Sequence, residues 1–320
     1  MQEILAPIDR DILKRELNES TFLRYTNYGN IEVHLVNHHR QPNTVMEIGR
    51  LRELTFRAAG GGTGLAVDID ENDTCVDAYD QLITWDPEEE EIVAGYRLIR
   101  GRDASVNAHG VYNLSTAHYF HFSEKFIKEY LPYTIELGRS FVQPKFQPGK
   151  DNRKGLFSLD NLWDGLGAII VLNPDIKYLF GKVTMYPHYN KEARDLLLYF
   201  MNHYFPDPDR LVWPIRPLGF TTDLSVYDGI FHGLDYKEGY RILNSKIRAL
   251  GENIPPLINT YMGLSSTMKS FGTAENDDFG DVEETGILIT ISDIFDNKKE
   301  RHVSSFERDR HYGKPKVKNK

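Results

Sequence analysis

Strand-like apolar runs that carry charge in their interior constrain this chain more than any other feature. Arg97 lies in Gly95-Tyr96-Arg97-Leu98, and Glu136 and Arg139 lie in Glu136-Leu-Gly-Arg139-Ser-Phe-Val. Asp77 and Asp80 stand three apart where another such run begins. A charge on a half-buried strand is costly unless it is paired or used. Three charge-bearing runs on consecutive strands therefore predict one shared cluster on a sheet. The pattern alone leaves two readings open, ordinary ion pairs that hold the strands or a catalytic group. In a regular strand Glu136 and Arg139 face opposite sides, because side chains alternate. Gly138 between them supplies the place for a bulge that would bring both into one site.

The surrounding pattern predicts a mixed α/β chain. Asp77 to Trp85, the acidic turn Asp86-Pro87-Glu88-Glu89-Glu90 and Glu91 to Ile99 read as a β-hairpin, with Ile92, Ala94, Tyr96 and Leu98 on one face. Tyr133 to Val142, Tyr178 to Met185 and Gly286 to Ile294 read as further strands. Thr44 to Ala59 reads as a helix with a Thr44/Glu47 capping box and a Glu53–Arg57 pair, stopped by Gly60-Gly61-Gly62. Gly60–Gly64 then reads as a flexible loop. Leu156 to Leu172 and Lys191 to Phe205 are predicted helices, and a proline-bearing stretch around 206–255 reads as a helical insertion. No linker stands out. The expected organisation is a helical leader over 1–43, one extended domain over 44–297 and a basic tail over 298–320.

Charge and composition narrow the function. The chain has 320 residues with a net charge of −9, which argues against a general nucleic-acid binder. The charge is uneven: residues 298–320 hold nine Lys/Arg and three Asp/Glu. That tail reads as a solvated, frayed segment or as a contact for an anionic membrane or an acidic carrier protein. The single Cys75 excludes an intrachain disulfide and a cysteine-rich zinc site, and fits a reducing, cytoplasmic setting. Neither LGAIIVL (166–172) nor LLLYFM (196–201) is long enough to span a bilayer, so at most a peripheral membrane contact is expected. Gly60–Gly64 lacks the Lys-Ser/Thr of a P-loop, and no G-x-S-x-G or H-E-x-x-H occurs. His38-His39 reads as a surface turn, His118 and His121 as partly buried packing residues, and Cys75 as inert. No metal site is expected.

The run Arg50-x-Arg52-x3-Phe56, then Asp77-x2-Asp80, Gly95-x-Arg97-Leu and Glu136-x2-Arg139 resembles the acyl-homoserine-lactone synthases in order and spacing. The text MEIGRLRELTFRAAGGGTG, YDQLITWDPEEEEIVAGYRL, ELGRSFVQPKFQ and GLGAIIVLNPDIKYLFGKVTM resembles more closely the hemolysin-like N-acyltransferases, which include makers of the lyso precursors of ornithine and glycine lipids. The likeness runs from about residue 44 to 205. It implies a GNAT-type fold, a mixed central sheet flanked by helices in which two parallel strands splay around an acyl-thioester arm. It also implies transfer of a fatty acyl group from acyl carrier protein to the amino group of a small amino acid.

On that resemblance Glu136 is the candidate base, because amine attack on a thioester requires a neutral amine. Arg139 or Arg97 would meet the acceptor's carboxylate, and Asp77 and Asp80 would hold those arginines. Substrate binding would fall to Arg52, Phe56, Trp85, Phe141 and Val142. No tightly bound cofactor is implied. The loop QPKFQPGKDNRKGLF lacks the Q/R-x2-G-x-G/A pattern of coenzyme A users, which favours acyl-phosphopantetheine on a carrier protein over acyl-CoA. Lys145, Lys150, Arg153 and Lys154 could meet that acidic carrier, or form a solvated loop. Glycine, then ornithine, is the favoured acceptor and a 3-hydroxyacyl chain the favoured donor. With no His-x4-Asp site, a separate O-acyltransferase would add a second chain. The alternatives are an autoinducer-type synthase, which would consume S-adenosylmethionine, and a non-catalytic lipid- or carrier-binding protein of the same fold.

Overall fold

The computed structural model describes residues 1–147 and 154–312. In chain order the strands are β1 (Phe22–Tyr25), β2 (Glu32–Val36), β3 (Asp80–Asp86), β4 (Glu91–Arg100), β5 (Phe120–Phe122), β6 (Thr134–Val142), β7 (Tyr178–Met185), β8 (Val212–Pro214), β9 (Lys269–Asn276) and β10 (Val282–Thr290). The helices are α1 (Arg10–Glu16), α2 (Pro42–Ala58), α3 (Glu71–Thr74), α4 (Ser158–Leu172), α5 (Lys191–Tyr204), α6 (Tyr236–Ala249), α7 (Pro256–Met262), α8 (Asp296–Lys299) and α9 (Ser305–Tyr312). The chain divides into two compact units, Met1–Ser105 with Ile135–Lys177 and Phe295–Lys320, and Val106–Thr134 with Tyr178–Ile294. Their segments interleave along the chain, so no linker composition could mark the division. Among the described residues no helix is long and apolar enough to cross a membrane.

The first unit is built on five strands in the order β1-β2-β3-β4-β6, each antiparallel to its neighbour. The predicted hairpin is present, with Leu82 opposite Tyr96 and Gln81 opposite Arg97. Register sorts the side chains. Leu82, Tyr96, Leu98 and Leu137 share one face with Val33, and α4 packs there. Gly165 of α4 comes so close that an added Cβ would lie 2.9 Å from Val33. Gln81, Arg97, Ile99 and Glu136 share the opposite face, where Arg52 of α2 meets Gln81.

Two local expectations change. The leader contains one short helix followed by the strands β1 and β2, whose four and five residues are too brief for alternation to stand out. Helix α2 has no capping box. Gln41 is its N-cap without a side-chain bond, Thr44 donates to Glu16, and Glu47 turns to Arg50 and the Ile8 amide. The Glu53–Arg57 pair does form, at 2.7 Å. The glycine loop is pinned, because buried Glu53 accepts from the Thr63 amide and hydroxyl and from the Gly64 amide. Gly62 and Gly64 take positive φ there, which a glycine adopts without strain.

The basic tail departs most from expectation. Far from being frayed, residues 298–312 include a π-helical turn over Glu300–Ser304 that packs on α4. His302 is buried, with Nδ1 2.7 Å from Asp164 Oδ1. Asp164 also accepts from Asn27, and Arg301 pairs with Asp160. Gly167 makes the approach possible, since a Cβ there would lie 2.0 Å from the His302 carbonyl oxygen. Residues 313–320 lie outside the described residues.

In the second unit β7-β10-β9 form an antiparallel run, and β5 pairs with β8. The predicted insertion therefore contributes a strand as well as α6. Two buried acids on β10 are neutralised, Glu283 by Arg194 of α5 and Glu284 by Lys182 of β7. His121 lies on β5 and His118 ends a 3-10 turn over Ser115–His118. Both are exposed, so neither is the packing residue expected. His38-His39 do form a turn.

Candidate active site

The charge cluster exists, with different acids from those expected. Arg97 Nη1 is 2.7 Å from Asp70 and 3.3 Å from Asp73, and its guanidinium lies 5.2 Å from the Tyr79 ring centroid. Arg52 reaches Asp73 at 2.6 Å and Asp68 at 3.3 Å, and also donates to Gln81. Arg139 meets Asp68 at 3.0 Å and Asp70 at 3.7 Å. Three arginines and three aspartates thus interlock on the α2 face of the sheet.

Electrostatics fixes their charge states. Burial favours the neutral form of Asp73, but Arg52 and Arg97 overcome it and hold the carboxyl well below the usual range. Burial likewise opposes the Arg97 charge, and the Asp73 and Asp70 carboxylates raise its pKa beyond the ordinary value. Arg52 and Arg97 are fully buried, whereas Arg139 and Asp70 keep 15% and 34% side-chain exposure. Among the described residues the cluster therefore opens to solvent through the Arg139–Asp70 side.

The bulge on β6 falls where the sequence placed it, but Gly138 is not the residue that bends. Arg97 faces Gly138 and Gly95 faces Phe141, so Arg139 and Ser140 stand opposite Tyr96 alone. Arg139 takes the left-handed conformation, with φ 49°. That extra residue turns its side chain onto the face carrying Arg97 and Glu136, as its contact with Asp68 requires. Glu136 is fully buried and pairs in register with Ile99.

Asp77 and Asp80 do not hold the arginines. Asp80 pairs in register with Leu98, on the α4 face, while Arg97 points the other way. Asp80 accepts from Asn37 at 3.0 Å, and Asp77 from the Ser105 amide at 2.8 Å. Burial pushes the Asp80 carboxyl up, only partly offset by Asn37 and by the charges of Arg40 and Arg100. Asp77 is held down at about 2, because hydrogen bonds from Ser105 and Cys75 outweigh its desolvation. The acids that do the expected work are Asp70 and Asp73, which have the same spacing one turn of sequence earlier, together with Asp68. That repeated spacing was the available signal.

The remaining candidates fall into three groups. Arg52 is consumed by the cluster. Phe56, Trp85 and Phe141 are buried, Phe141 against Gly95, where a Cβ would come within 2.8 Å of the ring, and Val142 is half-buried. Lys145 is half-exposed and already pairs with Glu89 and Glu91 of the β3–β4 turn. Lys150 and Arg153 lie outside the described residues, and of Lys154 only the backbone is described.

A model of the acetyltransferase (GNAT) domain matches residues 51–153, which hold the arginine–aspartate cluster and Glu136. The protein is thus an acyltransferase of the GNAT class. Two curated proteins named glycine N(alpha)-acyltransferase, from Phocaeicola vulgatus and Bacteroides thetaiotaomicron, are each 54% identical to it over 306 residues. The alignments cover 96% of this chain and 94% and 91% of theirs. The chain belongs to their family and is an N-acyltransferase. Among solved structures, a CoA-dependent acyl-homoserine lactone synthase, BjaI, aligns over 89% of this chain and 90% of its own at 11% identity, with a TM-score of 0.36.

Proposed function

We propose that this enzyme transfers a fatty acyl group, 3-hydroxylated, from the phosphopantetheine of acyl carrier protein to the amino group of glycine. The observation that carries the acceptor is the 54% identity, over nearly the whole chain, to two proteins named for glycine. The geometry supports the chemistry. The amine nitrogen attacks the thioester carbonyl, an N–C bond forms, the C–S bond breaks, and the carrier's sulfur leaves as a thiolate that becomes a thiol on taking up the proton the amine has lost. Glu136, buried on β6, takes the proton lost by the amine, directly or through a water. Arg139 receives the acceptor's carboxylate, because Arg52 and Arg97 are sealed inside the cluster while Arg139 retains exposure. Asp68, Asp70 and Asp73 position the three guanidinium groups. The product is a single-chain aminolipid precursor, which a separate O-acyltransferase would extend. Acyl-CoA is the less favoured donor. The exposed Arg308 and Arg310 are offered to the carrier or to an anionic membrane surface.

The test is mass spectrometry of lipids from cells expressing the chain against an empty vector, followed by the purified enzyme with 3-hydroxyacyl carrier protein and an amino-acid mixture. N-acylglycine in both is the expected outcome. Another N-acyl amino acid would overturn glycine while keeping the reaction. Consumption of S-adenosylmethionine would replace this reading with an autoinducer-type synthesis. Binding of the carrier without any product would overturn catalysis.

A further inference from the structure

Helix α6 carries cations that no acid answers. Lys237, Arg241, Lys246 and Arg248 are exposed, and none meets a carboxylate among the described residues. Other cations of the second unit have partners. Lys125, Lys128, Lys182, Lys191, Arg194 and Arg216 each lie within 3.1 Å of a carboxylate oxygen. The acid that α6 does contain, Glu238, turns to its own helix, where it closes a capping box with Asp235.

The packing of α6 fixes where these side chains point. Leu243 and Ile247 are fully buried, and Gly239 lies so close to α5 that a Cβ would come within 2.1 Å of the Tyr204 hydroxyl. On the outer side Lys237, Arg241 and Arg248 recur after four and seven residues, which returns them to one helical face. Asn244 and Ser245 fill the positions between them, and Lys246 stands off the row. At 1.5 Å per residue the row from Lys237 to Arg248 is about 16 Å long.

Helix stability does not account for the row. The helix dipole favours cations in the last turn, which suits Lys246 and Arg248. Lys237 stands in the first turn, where the same dipole opposes positive charge. The row also lacks the make-up of a protein interface, whose centre is apolar and aromatic. It consists of long cations separated by short polar side chains. An anionic bilayer surface requires nothing more, because each Lys or Arg brought to it contributes through charge alone. The whole chain carries −9, so a local surplus of positive charge is what such a surface can hold.

We propose that the Lys237–Arg241–Arg248 face of α6 is a docking surface for an anionic membrane, with the helix lying along the lipid headgroups. This surface goes beyond the acyl-transfer reaction and is independent of which amino acid is acylated. Its hold is electrostatic and reversible, because the row offers no apolar side chain to the hydrocarbon.

The test is co-sedimentation of the full chain, at low ionic strength, with vesicles of phosphatidylglycerol and phosphatidylcholine or of phosphatidylcholine alone. The chain should pellet with the anionic vesicles only, and added salt should release it. Lys237→Gln, Arg241→Gln and Arg248→Gln combined should weaken binding about 100-fold, close to fivefold for each cation. Lys125→Gln, Lys128→Gln and Arg216→Gln combined change the net charge equally but remove paired cations, and should weaken it less than about fivefold. Glutamine keeps the helix propensity of the residues it replaces. Absence of binding to anionic vesicles, equal binding to neutral ones, or equal losses in the two triple variants would each overturn the proposal. Loss of acyl carrier protein binding in the α6 variant, with vesicle binding unchanged, would assign the row to an acidic protein and overturn it as well. The vesicle comparison on the unmodified chain stands whether or not a variant folds, and it reads binding, so it is unaffected if the acceptor proves not to be glycine.

Discussion

Asp70-x2-Asp73 and Asp77-x2-Asp80 have the same spacing, lie close together in sequence, and end up in opposite circumstances. The first pair is locked against three arginines on the α2 face. The second borders a cavity at the strand ends, with Asp80 held by Asn37 and Asp77 by the Ser105 amide. The difference comes from strand register. Asp80 enters β3 opposite Leu98, which commits it to the α4 face, whereas Asp73 ends near the buried side of Gln81 and bonds to it at 2.9 Å. Spacing along a chain selects which residues could share a site; a shift of one position in a strand decides which of them do.

The largest contrast should appear in catalysis. Glu136→Gln should lower turnover by a factor of about 10² to 10⁴ while the unfolding midpoint stays near that of the unmodified enzyme. Turnover near the unmodified value would remove Glu136 as the base. Next comes stability. Asp73→Asn leaves Arg52 and Arg97 buried without their shared partner and should cost about 3–5 kcal/mol, read by denaturant unfolding. Asp80→Asn should stay within about 0.5 kcal/mol, as for substitutions outside tightly coupled networks. Equal losses would erase the distinction between the two pairs.

Acid titration sharpens it by sign. Asp73 has its pKa lowered by folding, so the stability it contributes is full above the unfolded value near 4 and is lost as pH falls through its lower folded value. Asp80 has its pKa raised by folding, so the cost of burying its charge is relieved as pH falls through that raised value. Asp73→Asn should therefore flatten the acid limb of the stability curve, and Asp80→Asn should steepen it slightly. The smallest effect concerns the bulge. Arg139→Gly should be more stable than Arg139→Ala by about 1 kcal/mol, because only glycine accepts the left-handed backbone at position 139 freely. Both should raise the KM for the amino acid. An Ala variant as stable as the Gly variant would show that the strain lies elsewhere.

Much of this was readable in the residues. Apolar runs placed β3, β4, β6 and β7, with alternation explicit in β4, and the charges inside the Arg97 and Glu136 strands pointed to a cluster on the sheet. The bulge falls beside Gly138, at Arg139. The partners were marked only by a second Asp-x2-Asp spacing, because Asp68, Asp70 and Asp73 sit in a short polar stretch that looks like a solvated loop until α2 delivers Arg52 beside it. Composition misled at 298–312 for a related reason. Its Arg301 pairs with Asp160 and its His302 bonds to Asp164, both on a helix far away in sequence, and no local pattern records that.

That last contact also orders events in time. The first unit is completed by a segment beginning at Phe295, whose His302 seats in the gap left by Gly167. Chain emerging from the ribosome can form the β3–β4 hairpin early. It cannot bury Asp164 against His302 until the whole second unit has been synthesised. A half-made enzyme would thus hold Asp164 through Asn27 alone, with the gap at Gly167 unfilled, and maturation of the first unit is tied to translation of the segment that fills it.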